Sequence, residues 1–104
     1  MLVTIAEKDK VIVKNEKGGT VRQMMKRGVA SANINSDETM LAIAVENLGI
    51  EILKIPGFGV LRTIPLKDVT DARWSDNNTL AVSRKTGVTE LRNAQNGSII
   101  RTLH

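Results

Sequence analysis

Three stretches decide how this sequence folds. Residues 10–24 read KVIVKNEKGGTVRQM, residues 50–64 read IEILKIPGFGVLRTI, and residues 89–103 read TELRNAQNGSIIRTL. Laid over one another without gaps, they bring together Ile12, Ile52 and Leu91, then Val21, Leu61 and Ile100, then Arg22, Arg62 and Arg101, then Met24, Ile64 and Leu103. Glycine or a neighbouring turn former precedes each second apolar block. Such self-similarity has to be read before any local signal, because it assigns every residue a place in a repeat.

The likeness extends upstream. Ser36-Asp37 precedes Leu41-Ala42-Ile43 as Ser75-Asp76 precedes Leu80-Ala81-Val82, 39 residues later. Val29, Ala32 and Ile34 stand 40 residues before Val69, Ala72 and Trp74, so the turn of the last copy is one residue shorter, a slippage that belongs in loops. Met1 to Ile5 overlies Leu41 to Val45 at an offset of 40, which leaves the first copy truncated at its front. A period near 40 with four short apolar segments per copy predicts β-propeller blades, four antiparallel strands to a repeat. The expected strands are 1–6, 10–14 and 19–24 in the first copy, 29–34, 40–46, 49–55 and 59–64 in the second, and 69–74, 79–84, 87–92 and 98–103 in the third. The whole, 1–104, is expected to be one repeat domain, its copies running 1–28, 29–68 and 69–104.

Composition agrees with an all-β chain. Of the 104 residues, 29 are Val, Ile or Thr, whose branched side chains suit a pleated surface better than a helix. Turn formers fall between the strands: Asn15 to Gly19, Ser36 to Thr39, Pro56-Gly57, Asp76-Asn77-Asn78 and Asn96-Gly97. Val21, Met24, Met25 and Val29 do lie at helical spacing, but the alignment of Val21-Arg22-Gln23-Met24 with strand-like Leu61-Arg62-Thr63-Ile64 outweighs four residues. A compact β-sandwich or barrel is the alternative architecture. The longest apolar run, Met40 to Val45, is far below the ~20 residues a membrane-spanning helix needs. With alternation starting at Met1 and no leader pattern, the expected location is cytoplasmic and off the membrane.

Ile34 to Ala42, INSDETMLA, resembles the stretch of WD-repeat propellers in which an aromatic residue is followed by Ser-Pro-Asp-Gly and Leu-Ala. Asn96 to Leu103, NGSIIRTL, is similar to that family's ending of Thr-Gly, two apolar residues and Arg-Thr-Leu. Leu53-Lys54 and Arg92-Asn93 stand where the family has Trp-Asp, and the Gly-His pair is absent. The resemblance implies a scaffold that presents loops and faces to other proteins, and that seldom catalyses.

The residues themselves argue against catalysis. There is no cysteine, and the single histidine is His104, so neither a His-based triad nor a Cys/His zinc cage can be assembled. Ser36, Ser75, Ser83 and Ser98 have no His partner. Asp76-Asn77-Asn78 resembles half a calcium loop without its remaining ligands, and turn closure by Asx hydrogen bonds is the expected role. Gly57-Phe58-Gly59 lacks the third glycine and helix start of a phosphate loop, so it reads as a hairpin turn. No cofactor and no metal site is expected.

Charge is informative in its distribution. Residues 1–28 hold Lys8, Lys10, Lys14, Lys17, Arg22, Lys26 and Arg27 against Glu7, Asp9 and Glu16, while residues 29–104 balance eight basic with eight acidic. The net charge of +4 therefore sits in the first copy, and Lys8, Lys10, Lys26 and Arg27 are its candidate binding residues for an acidic partner or polyanion. Nucleic acid is the weaker reading, since single-strand binders stack bases on aromatic rings and this chain has only Phe58 and Trp74. Trp74 occupies the slot of Ile34 and is expected to pack in the core. Phe58, in the turn Pro56 to Gly59, is expected to project and anchor a protein contact.

The function these observations imply is a non-catalytic protein-interaction or assembly module. A small-ligand, lectin-like propeller and polyanion binding through the first copy are the alternatives. Eleven strands fall short of three full blades, so a homo-oligomer or membership of a larger propeller is expected.

Overall fold

The structure is a computed structural model; it describes residues 1–104 and consists of eleven strands without helix. The first sheet holds β1 (Val3–Glu7), β2 (Lys10–Lys14) and β3 (Thr20–Met25), in that order. The second runs β4 (Val29–Ile34), β5 (Met40–Val45), β6 (Gly49–Lys54) and β7 (Val60–Pro65). The third runs β8 (Val69–Asp76), β9 (Thr79–Arg84), β10 (Thr89–Asn93) and β11 (Ile99–Leu103). Each strand is antiparallel to the next and joined to it by a short turn. The sheets are successive propeller blades, side by side and not closed into a ring or barrel. Val21, Met24 and Met25 lie on β3, so the helical spacing there is coincidental.

Two apolar seams hold the blades together. Between the first and second lie Val11 and Val13 of β2, Val29 and Ala32 of β4, Leu41, Ile43 and Val45 of β5, and Leu53 of β6. Between the second and third lie Met40, Ala42, Ala44, Ile50, Ile52 and Ile64 on one side, and Val69, Ala72, Leu80 and Val82 on the other. Alternate residues of β5 thus feed opposite seams, and all six are buried, because period-two side chains point to opposite faces and each face has a neighbour. The inner strands nest: β8 packs on β4 and β5, and β4 packs on β1.

Register corrects two parts of the sequence alignment, the second being the first strand, where Val3 and Ile5 rather than Met1 and Val3 overlie Leu41 and Ile43, an offset of 38 in place of 40. Ile52 faces Arg62 across the β6–β7 ladder and Leu91 faces Arg101 across β10–β11, but Val13, not Ile12, faces Arg22 across β2–β3. The turn Asn15 to Gly19 spans one residue fewer, so Val13 rather than Ile12 is the counterpart of Ile52. A one-residue slip moves every side chain to the other face. Val11 and Val13 are accordingly fully buried in the seam, and Ile12 lies on the outer face of the first blade, only partly covered.

Gly49, at the start of β6, is required by close approach. Its φ is +137°, and a Cβ there would stand 2.1 Å from the carbonyl oxygen of Ile64.

Candidate interaction surfaces

The blade pattern makes three surfaces comparable residue by residue. On the side of each blade that faces its predecessor, the β1 pair Val3 and Ile5 takes the place of Leu41 and Ile43 on β5, and of Leu80 and Val82 on β9. Ile12, opposite Ile5, takes the place of Glu51 opposite Ile43 and of Glu90 opposite Val82. Nothing covers this side of the first blade: Val3 is 52% and Ile5 39% exposed, where Ile43 is fully buried. Met25, 69% exposed and paired with Lys10, extends the apolar patch.

At the other end, the outward side of the third blade carries Ala81 and Ser83 on β9, Thr89 and Leu91 on β10, and Leu103 on β11. Their counterparts in the second blade are Ala42, Ala44, Ile50, Ile52 and Ile64. The small-residue stripe is kept, but Ser and Thr replace Ala44 and Ile50. The two open ends therefore differ: one is apolar at its centre, the other mixed.

Carboxylates at equivalent positions of the second and third blades are held in different ways. Glu51 takes an ion pair from Lys26 of the first blade. Glu90, 8% exposed, is held within its own blade, with Arg84 Nη1 at 3.1 Å and Arg92 Nη2 at 2.9 Å. Arg84 Nε also donates to Asp68 at 2.5 Å. That bond raises the guanidinium's pKa above its ordinary value against the cost of burial, with the charges of Glu90 and Asp68 adding to it. A second bridge is polar throughout: Asn35 Nδ2 donates to Asn77 O, and Ser36 Oγ and the Asp37 amide donate to Asn77 Oδ1. Asp76 closes its own turn, accepting from the Asn78 amide at 2.8 Å. This bond, with one from the Thr79 side chain, lowers its carboxyl pKa from the ordinary 3.8.

The residues singled out from sequence do not form one site. Lys10 pairs with Glu7 at 3.2 Å and Lys26 is engaged by Glu51, which leaves Lys8 and Arg27 as exposed cations without an ion pair. Lys8 also fixes the chain's passage into the second blade, its carbonyl accepting from the Gly28 amide at 2.7 Å and the Val29 amide at 3.1 Å. Phe58 does not project as expected. It is half-buried against the seam between the first and second blades, with the Arg22 guanidinium 5.7 Å from its ring centre. A φ of +59° at Phe58 turns the side chain back toward the sheet, which the turn's composition alone does not foretell. Trp74 packs half-buried on the seam between the second and third blades, and its Nε1 donates to Asn33 O at 2.8 Å.

The inner side of the blades forms a cleft of about 560 Å³, lined by Thr4 and Ala6 of β1, residues 30–34 of β4, and Asp71, Arg73 and Trp74 around β8. Asp71 and Arg73 pair with each other at 2.6 Å, so the wall carries no free charge of either sign from this pair.

Neither a scan against protein families nor a search among curated proteins finds a match. Solved structures do match, WD40 and other β-propeller domains among them. Sqt1 of Saccharomyces cerevisiae superposes with a TM-score of 0.79 over 97% of this chain at 21% identity. The Cps50 (Swd1) β-propeller domain of Myceliophteria thermophila gives 0.80 over 99% at 13% identity, and the WD40 propeller domain of Doa1 gives 0.80 over 97% at 18%. The chain spans 29%, 34% and 36% of those three chains, respectively. The fold is that of WD-repeat-type propeller blades, three of them in an open arrangement, the first without its inner strand.

Proposed function

We propose that the chain is a non-catalytic protein-interaction and assembly module, whose partner covers the open face of the first blade. The observation that carries this reading is the exposure of Val3 and Ile5 at positions whose counterparts in the next blade, Leu41 and Ile43, are buried by a neighbouring sheet, with Ile12 half-buried beside them. An apolar patch of this kind, on a surface already shaped to receive a blade, favours a blade-like partner. The mixed outer face of the third blade keeps the Ala81 and Ser83 stripe that a following blade packs against. A second copy docked head to tail, or the remaining blades of a larger propeller, meets both requirements; rotational closure needs such a contact. Of the four candidate cations, Lys8 and Arg27 are left free to steer an acidic partner, while Phe58 packs on the seam between the first and second blades.

Light scattering over a range of micromolar concentrations tests the reading. Association is expected for the native chain, and Ile5→Lys with Ile12→Lys should abolish it while leaving the melting temperature nearly unchanged. A sharply melting monomer at every concentration would refute it for self-assembly.

A further inference from the structure

The outer strands β3, β7 and β11 share a pattern of apolar and cationic side chains. At one level of each blade an exposed apolar residue, Val21, Leu61 or Ile100, is followed by Arg22, Arg62 or Arg101. These arginines are equivalent by register, facing Val13, Ile52 and Leu91 on the adjoining strands. Val60 and Ile99 extend the row at 58% and 48% exposure, and no acidic residue stands on any of the three strands. β7 belongs to the blade that has a neighbour on both sides, so what it exposes is no consequence of an open end.

Two of the arginines are laid across junctions between blades. Arg22 stands over the Phe58 ring, 5.7 Å from its centre, and Arg62 Nε donates to Gln95 O at 2.9 Å. Phe58 and Gly97 are equivalent turn residues, with φ of +59° and +75°, and a Cβ at Gly97 would stand 3.3 Å from Arg62 Cδ. Each arginine therefore rests on the outer turn of the following blade. Neither has an ion pair, so two positioned guanidiniums flank the exposed Val60 and Leu61 with their charge unanswered.

We propose that the rim formed by β3, β7 and β11 is a docking surface for an acidic amphipathic helix of a partner protein. Cations and apolar side chains without a single acid call for carboxylates and apolar side chains in return. Side chains rather than backbone make the contact, because every outer strand is bulged at this level and β7 ends in Pro65. Packed sheets stand about 10 Å apart. Two turns of helix advance by about the same distance, so acids seven residues apart reach successive arginines. Apolar residues three and four places after the first acid then meet Val60 and Leu61. An anionic lipid surface fits less well, since the arginine stems are held on turns and the outer strands carry no aromatic anchor. The surface is separate from the open face of the first blade and needs no self-assembly.

The probe is a dye-labelled, stapled helical peptide with two Glu seven residues apart and two Leu between them, titrated with the 104-residue chain and followed by fluorescence anisotropy. Saturable binding is expected. Arg22→Gln with Arg62→Gln should weaken it at least about tenfold, and so should Leu61→Glu, which touches neither arginine's contact. Lys8→Gln with Arg27→Gln removes the same charge elsewhere and should leave it unchanged. No binding up to about 1 mM, equal binding by a peptide whose Glu residues are five apart, or an equal loss in the Lys8 and Arg27 variant would overturn the proposal. Cosedimentation with phosphatidylserine vesicles, lost in the Arg22 and Arg62 variant while the peptide does not bind, would overturn it in favour of a lipid surface. Ile5→Lys with Ile12→Lys should bind the peptide as the native chain does, whatever light scattering shows of self-association. Loss of peptide binding there would place the peptide on the first blade's open face and remove the rim site.

Discussion

β5 and β1 stand at the same place in consecutive repeats, and both are rich in alanine and β-branched residues, yet their environments are opposite. Every residue of β5 is buried, while all but Thr4 of β1 are exposed. The difference lies in what stands on either side. β5 has a blade on both faces and a strand on both edges; β1 has one of each. Burial in this molecule is conferred by neighbours on strands of similar sequence.

The sharpest way to break the comparison is to truncate the equivalent residues Ile43 and Ile5. Ile43→Ala should cost about 2–5 kcal/mol in urea unfolding, as loss of a buried side chain leaves a cavity, and Ile5→Ala no more than about 0.5 kcal/mol, as for a surface change. Equal losses would mean that the first blade's face is covered in solution. Gly49 and Lys10 are likewise equivalent, each opening the third strand of its repeat. Gly49→Ala should destabilise by about 1–3 kcal/mol through its positive φ and the approach of Ile64 O, whereas Lys10→Ala should be near neutral. An unaffected Gly49→Ala would show that β6 and β7 can separate without cost to the blade.

A smaller effect sharpens the contrast between seams. Trp74→Phe keeps the ring but loses the bond to Asn33 O, for which about 1 kcal/mol is expected. Ile34, its counterpart, makes no such bond, and Ile34→Val should be milder. The smallest effect is on pH dependence. Asp76 has a lowered folded pKa, so its stabilisation is present above the ordinary 3.8 and is lost as pH falls through the folded value. Asp76→Asn should flatten the acid limb of the urea midpoint against pH; an unchanged limb would remove this turn from the acid response.

The blades were legible from the repeats because each strand is short, apolar and bounded by turn residues, and strands so read fall within two residues of those observed. The face of β2 was not legible. Val11-Ile12-Val13 is apolar at consecutive positions, so alternation gives no preference between the two faces, and only the length of the following turn decides. Phe58 was misplaced for a related reason: the backbone sign at a turn tip, rather than its composition, aims the side chain. The pairing of Lys26 with Glu51 joins residues 25 apart in sequence and had no local signal. Cross-blade contacts such as Asn35 with Asn77 follow from the repeat only once the blades are known to nest.

Trp74 is the only tryptophan, and it stands at a wall of the inner cleft with its indole tied to the neighbouring blade. The chain thus carries an intrinsic optical reporter. Its emission is expected to shift when the second and third blades part, well before the outer strands lose their circular dichroism, and to respond differently when something enters the cleft while the blades stay together. Loosening and occupancy become distinguishable by colour in one cuvette, without any label on the protein.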